Sequence, residues 1–330
     1  MTIRSYLRLS AFICGCLSLG FAQMQVESIT TLPKSISVLI SPDGKKVALR
    51  NPDGSKLLDL DTMTTRALAH LIPLTFSADS ESLYGEQQID QKTWKFVRLP
   101  LSGEQAAIPV GLPPGFAISH DGKRIAYLRS EQYQTPGGIA VGYLVMVADI
   151  DGKNETQLAS FRYPENANSP FWSPDDRQVL LLTSSGRPPR EKTKLWRISP
   201  GSAAKAEELC DCEAHSAIAP RDQGGLFLLH VDRQFQSWRQ DSIWHYDLTT
   251  RAWTRLDVES PGDNGMYHYS SLSAGAGALV ANREKFTPGF WNGLMSTLFG
   301  LDPLVAERQQ IEWDTVLIRL RGRGTTDEHR

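Results

Sequence analysis

The chain has 330 residues, of which 41% are hydrophobic, 22% charged and 9% aromatic, a balance that excludes disordered, collagenous and disulfide-dense classes and supplies enough apolar material for a sizeable core. Its 35 Lys and Arg against 37 Asp and Glu leave a net charge of -2, so no overall field draws it to nucleic acid or to anionic lipid. At about 150 residues per domain, the length allows two ordinary domains or one large repeat array.

The first segment reads as an address. Residues 1–8 carry Arg4 and Arg8 and no acid, residues 9–19 form an apolar run, and Gly20-Phe21-Ala22 supplies the small residues that precede a cut after Ala22. That is the three-part plan of a secretory signal peptide. A lipoprotein cut is the competing reading, since Ile13-Cys14-Gly15-Cys16 resembles a lipobox with Cys16 as the acylated residue. The run is short of the ~20 apolar residues a spanning helix needs, and no later stretch reaches that length. The expected location is therefore periplasmic or secreted, or lipid-anchored at Cys16. Cleavage after Ala22 leaves only Cys210 and Cys212, which excludes a framework of disulfides and leaves open a tight local bridge or a pair of thiols.

One turn recurs along the remainder. Ser41-Pro42-Asp43-Gly44, Ser119-His120-Asp121-Gly122 and Ser173-Pro174-Asp175-Asp176 each lead into a β-branched or apolar strand. Weaker copies begin at Ser77, Ala219 and Ser273. In such a turn Pro presets φ, Ser and Asp bond the local backbone, and Gly accepts a positive φ as the chain reverses. Each copy joins a short apolar strand to a second strand, and third strands such as 56–60, 95–99, 194–198 and 242–246 recur behind it, followed by a short fourth. Four strands per unit and six units predict an all-β, six-bladed β-propeller, whose ring closure protects the sheet edges. Residues 25–32 read as a lone fourth strand and 313–321 as a third strand, so the two termini are expected to complete one blade together. The predicted organisation is a signal peptide at 1–22, a propeller at 23–322 and a polar, disordered tail at 323–330.

The units beginning SPDGKKVAL, SHDGKRIAY and SPDDRQVLL resemble the repeat of TolB-type propellers, over residues 25 to 321. Three copies match well and three are degenerate. Similar repeats occur in the propeller domains of prolyl oligopeptidase-type enzymes, so the motif speaks for a fold more than for a task. The resemblance implies a bacterial envelope setting and an envelope protein as partner. Two departures stand out: the α/β domain that precedes the TolB propeller has no room before the first blade, and no peptidase domain follows.

No Gly-x-Ser-x-Gly elbow, P-loop or His-Glu-x-x-His motif occurs in the chain, which removes the signatures of α/β-hydrolases, P-loop nucleotide enzymes and zinc peptidases. The reading assigns no cofactor and no metal. The irregular loops fall on the face opposite the repeated turns, and loops on a rigid scaffold are where binding is usually placed. Its candidates are Arg187 and Arg190, for an anionic group in fork geometry; Phe235, Trp238 and Arg239, typical interface anchors; and Tyr133, Tyr163 and His268, for stacking at the channel mouth, with Tyr269 read as core. His215, His268 and Glu165 could share a metal but lack ligand spacing. The apolar stretch 286–301, from Phe286 through Trp291 to Leu301, either caps the channel or offers an exposed patch for peripheral membrane contact or a protein. The expected function is noncatalytic binding of an envelope protein through this loop face. The alternatives are a carbohydrate lyase or hydrolase with its site at the channel mouth, and a small-ligand sensor.

Overall fold

A computed structural model describes residues 24–68, 70–88, 90, 93–102, 108–109, 113, 115–186, 192–200, 206–221, 224–234, 239–258, 266–286 and 312–321. Among these every regular element is a strand. Strand β1 (Gln25–Leu32) precedes blade 1, made of β2 (Ser37–Ile40), β3 (Lys46–Asn51), β4 (Gly54–Asp59) and β5 (Thr65–Leu68). Blade 2 holds β6 (Leu71–Phe76), β7 (Ser82–Gln88), β8 (Trp94–Pro100) and β9 (Ile108–Pro109); blade 3 holds β10 (Ala117–Ile118), β11 (Arg124–Thr135), β12 (Gly138–Asp149) and β13 (Thr156–Phe161). In blade 4 the first strand is split into β14 (Asn166–Ala167) and β15 (Phe171–Trp172), both paired with β16 (Val179–Ser185), ahead of β17 (Lys192–Ile198) and β18 (Ala206–Asp211). Pro170, which has no N–H to give the ladder, lies in the break. Blade 5 is β19 (Ala214–Ile218), β20 (Gly225–Gln234), β21 (Arg239–Asp247) and β22 (Trp253–Arg255). Blade 6 is β23 (Met266–Gly275), β24 (Ala278–Phe286) and β25 (Glu312–Arg321), with β1 as its fourth strand.

The chain is thus an all-β, six-bladed propeller in which both termini complete one blade. Strand β1 lies antiparallel to β25, with Gln25 opposite Arg321 and Leu32 opposite Thr315. Six buried clusters mark six blade-to-blade seams, including one between blade 6 and blade 1 built on Val280 and Leu317 against Val38, Val47 and Leu49. An open array of six sheets would have only five such seams, so the sixth is what closes the ring. A buried polar knot holds the chain where it leaves β1 for blade 1: the Ser35 N–H donates to Thr315 Oγ1 at 3.1 Å and the Thr315 hydroxyl to Asn282 Oδ1 at 3.0 Å.

Second strands are packed between neighbouring blades on both faces, which explains why they read as unbroken apolar runs rather than alternating ones. Val179, Leu180, Leu181 and Leu182 are all buried, as are Leu226 through Leu229 and Ala278 through Ala281. The repeated turn works as its composition dictates. In four copies the Ser hydroxyl donates to the Asp two positions on, at 2.5–2.7 Å. The fourth position takes a positive φ at Gly44, Ser80, Gly122 and Asp176. Blade 6 departs from this scheme: its hairpin is cut to two residues, Ala276 and Gly277, after β23 runs on through Gly275. A Cβ on Gly275 would stand 2.3 Å from the Ser41 carbonyl oxygen, so only glycine lets the last blade's turn nest against the first.

Candidate functional site

First strands of all six blades line the central channel. At the end carrying the repeated turns it opens into a cavity of about 260 Å³ whose wall includes Ile40, Phe76, Ile118, Trp172, Ile218 and Ser273. His120 spans this mouth, with Nδ1 2.8 Å from Asp176 Oδ1 in blade 4 and Nε2 2.8 Å from the Ala219 carbonyl oxygen in blade 5. Its polar atoms are thus engaged in joining blades.

The opposite end, where the loops lie, carries the chemistry. His215 sits near the start of β19, at a bulge between Ala214 and Ser216. Asp241 lies near the start of β21, and His268 near the start of β23 in the next blade. These positions share one end of the ring because first and third strands run in the same direction. Asp241 has a side chain with no exposed surface, and the two imidazoles beside it are 17% and 18% exposed, so this is a buried carboxylate with two partly open gates. His268 Nδ1 is 2.5 Å from Asp241 Oδ2, and the Tyr269 backbone N–H donates to the same oxygen at 3.1 Å. His215 Nε2 stands 3.3 Å from it without forming a hydrogen bond. The second oxygen, Oδ1, has no hydrogen bond either; its nearest cation is Arg239, with Nε at 3.9 Å. Burial pushes the Asp241 carboxyl up, but the His215 and His268 side chains against it win and hold it down to about 2. Three ligand atoms, one from each residue, lie within 4.8 Å of one another.

On the same end, blade 3 extends β11 and β12 into a hairpin where the sequence suggests a loop at 130–140. Ile139 and Val141 are 67% and 46% exposed on it, and Tyr163 on the adjoining blade-to-blade loop is 77% exposed. Tyr133 supports that loop: its hydroxyl accepts the Tyr163 N–H at 2.8 Å and its ring carries the Arg162 guanidinium.

Of the sequence candidates, Tyr133 and Tyr163 therefore meet one another in blade 3, while His268 and Arg239 meet around Asp241 at the seam of blades 5 and 6. Tyr269 is buried in that seam, in line with its reading as core. Arg187, Arg190, Phe235, Trp238 and Trp291, with the stretch 287–301, lie outside the described residues, as do the signal segment and Cys16. Phe286 closes β24. Glu165 is not part of the histidine cluster, whose carboxylate is Asp241. Sequence reasoning passed over Asp241, though a signal was present: in the alternation of β21 it shares a face with Ile243, a residue of the seam core. An acid in register with a core residue marks a buried charge that needs partners. Cys210 and Cys212 are free thiols; the Cys210 thiol, together with burial, pushes the Cys212 thiol up. Among the described residues no helix is long and apolar enough to cross a membrane.

No protein-family model and no curated protein sequence matches the chain. Among solved structures it is similar to the putative TolB from Agrobacterium tumefaciens, at 16% identity and a TM-score of 0.47 over 66% of this chain and 79% of that one. It is also similar to TolB from Acinetobacter baumannii, at 13% identity and a TM-score of 0.44 over 86% of this chain and 64% of that one, and so spans just under two-thirds of that protein's length. An oligogalacturonate lyase in complex with manganese aligns over 90% of this chain and 95% of that one, at 13% identity and a TM-score of 0.51. At these identities the likeness is one of fold.

Proposed function

We propose that the protein is an exported, noncatalytic propeller that engages an envelope protein through its loop face. The observation that carries this reading is a cluster of exposed apolar side chains at the loop end: Ile139 and Val141 on a hairpin extended past the needs of its blade, with Tyr163 on the adjoining loop. Apolar and aromatic groups held out on a rigid scaffold are what the centre of a protein interface requires. Arg239, at the start of β21, belongs to the same face, and the reading extends to Phe235, Trp238, Arg187 and Arg190 as proposed contacts on their sequence character alone. Photo-crosslinking residues placed at Ile139 and Tyr163 in intact cells are expected to yield a discrete protein adduct, while the same group at Lys123 or Lys153, exposed at the turn end, yields none. Equal adducts from both ends, or none from the loop end, would overturn the reading.

One observation favours a second reading, a carbohydrate-active enzyme with its site at the channel mouth. His215, Asp241 and His268 converge there from separate strands, and a histidine beside a buried carboxylate is a usual way to position a proton-transfer group. Oligouronate fragments incubated with the purified protein and manganese would be shortened or desaturated if this reading holds. Unchanged fragments would remove it.

A further inference from the structure

We infer that the loop-end mouth between blades 5 and 6 holds a single divalent first-row transition cation, with His215 Nε2, His268 Nδ1 and a carboxylate oxygen of Asp241 as its protein ligands. The inference is independent of both functional readings, since a cation at this seam would serve a binding face as readily as a reaction.

The argument starts from the carboxylate. A buried charge is expensive and persists where its lone pairs are satisfied. Asp241 is 2% exposed, yet Oδ1 accepts no hydrogen bond, and the unbonded Nε2 of His215 faces the same carboxylate. Two adjacent atoms without a hydrogen-bond partner, in a spot closed to most solvent and each able to offer a lone pair, describe a site whose occupant is a shared electrophile. Two imidazoles and one carboxylate are the donor set that suits zinc, iron and their neighbours; calcium and magnesium prefer shells of oxygen.

Geometry allows the closure with side-chain motion alone. The ligand atoms lie within 4.8 Å of one another, against the roughly 3.4 Å edge of a tetrahedron with bonds near 2.1 Å. Both histidines sit near the starts of strands, where ring rotation does not disturb a ladder, and His215 is at a bulge. Such bulges re-aim side chains. The carboxylate is held by the Tyr269 N–H, a partner that fixes a ligand without competing for the cation. On binding, the lone pair of His268 Nδ1 goes to the metal, and the proton that Nδ1 now shares with Asp241 passes through water to Nε2, which leaves a neutral ring as ligand. Arg239, the cation nearest Oδ1 at present, is partly exposed and swings aside. Three protein ligands leave at least one position open towards the mouth.

The test uses the tag-free full chain, stripped with chelator. Titration with Zn²⁺ is expected to show saturable one-to-one binding. His215→Ala and His268→Ala should each weaken it beyond the roughly 10- to 100-fold loss typical when a supporting partner is removed. His70→Asn, at an exposed histidine elsewhere on the ring, should leave it unchanged. Should the histidine variants fail to fold, Co²⁺ bound to the wild-type chain decides: visible bands of nitrogen and oxygen ligation without a thiolate charge-transfer band support the site. Absence of saturable binding, a thiolate band pointing to Cys210 and Cys212, or unchanged affinity in both histidine variants would overturn it.

Discussion

The two ends of the ring satisfy their polar groups in opposite ways. At the turn end the Ser hydroxyls bond within a few residues, Ser119 donating to Asp121 and accepting the Arg124 N–H at 2.9 Å and Ser41 doing the same with Asp43 and Lys46, and the groups that reach between blades are paired, as both ring nitrogens of His120 are with Asp176 and Ala219. At the loop end Asp241 depends on His268 and Tyr269 of the next blade and on His215 of its own first strand, and keeps one oxygen without a hydrogen bond. A region whose polar groups are all paired, within a turn or with the next blade, is stable and repeatable. A region that relies on groups brought from different strands is where unused chemical capacity can persist, because no single turn can discharge it.

If the turn end carries stability, breaking it should cost most. Trp172, 2% exposed, lies between blades 3 and 4, donating its indole N–H to the Ala117 carbonyl and carrying the Arg124 guanidinium on its ring. Trp172→Ala is expected to cost about 3–5 kcal/mol in chemical denaturation; a loss below about 1 kcal/mol would show that the seams do not hold the ring together. Gly275→Ala drives a Cβ to 2.3 Å from the Ser41 carbonyl oxygen at the closing seam, and an overpacking loss of roughly 1–3 kcal/mol should appear in the same assay. An unchanged midpoint would mean that the last and first blades are free to part.

Acid sharpens the comparison more gently. The Ser77 hydroxyl and the Glu81 N–H hold the Asp79 carboxyl below its ordinary 3.8. For Asp121 and Asp175 burial pushes the carboxyl up, but the Ser119 and Ser173 hydroxyls and nearby N–H groups prevail and lower it. A carboxyl depressed in the folded state contributes stability that is present above its ordinary value and lost as pH falls through the folded one. The thermal midpoint should therefore fall between about pH 5 and pH 3, and less steeply in an Asp121→Asn, Asp175→Asn double variant; equal slopes would remove the turns from the acid response. The smallest effect belongs to the loop face: Tyr163→Ser, at an exposed position, should move stability by no more than about 0.5 kcal/mol while abolishing the loop-end crosslink from Ile139. A large loss of stability would reassign Tyr163 from recognition to packing.

Much of the architecture was legible from residues 41–44, 119–122 and 173–176, because the turn's hydrogen bonds are local and its residue types are few. The strand at 25–32 was legible for a different reason: it is rich in β-branched residues, Val26, Ile29, Thr30 and Thr31, and has no neighbour in sequence to pair with. Blade 6 was harder. Its turn lost the Asp and moved to Ala276-Gly277, since nesting against Ser41 and Gly44 leaves no room for the longer form. The site was half legible: His215 and His268 stood out by residue type, whereas their carboxylate was sought at Glu165 and lies at Asp241, which reads as the end of a loop.

By itself, the sequence determined the number of blades, the turn that begins each hairpin and the strands that the termini contribute, because period, turn chemistry and alternation act over a few residues. Which carboxylate meets the two histidines, and which hairpin projects beyond the ring, was decided only by tertiary structure. Contacts between β19, β21 and β23 depend on the rotation from one blade to the next, and no stretch of chain encodes that angle alone.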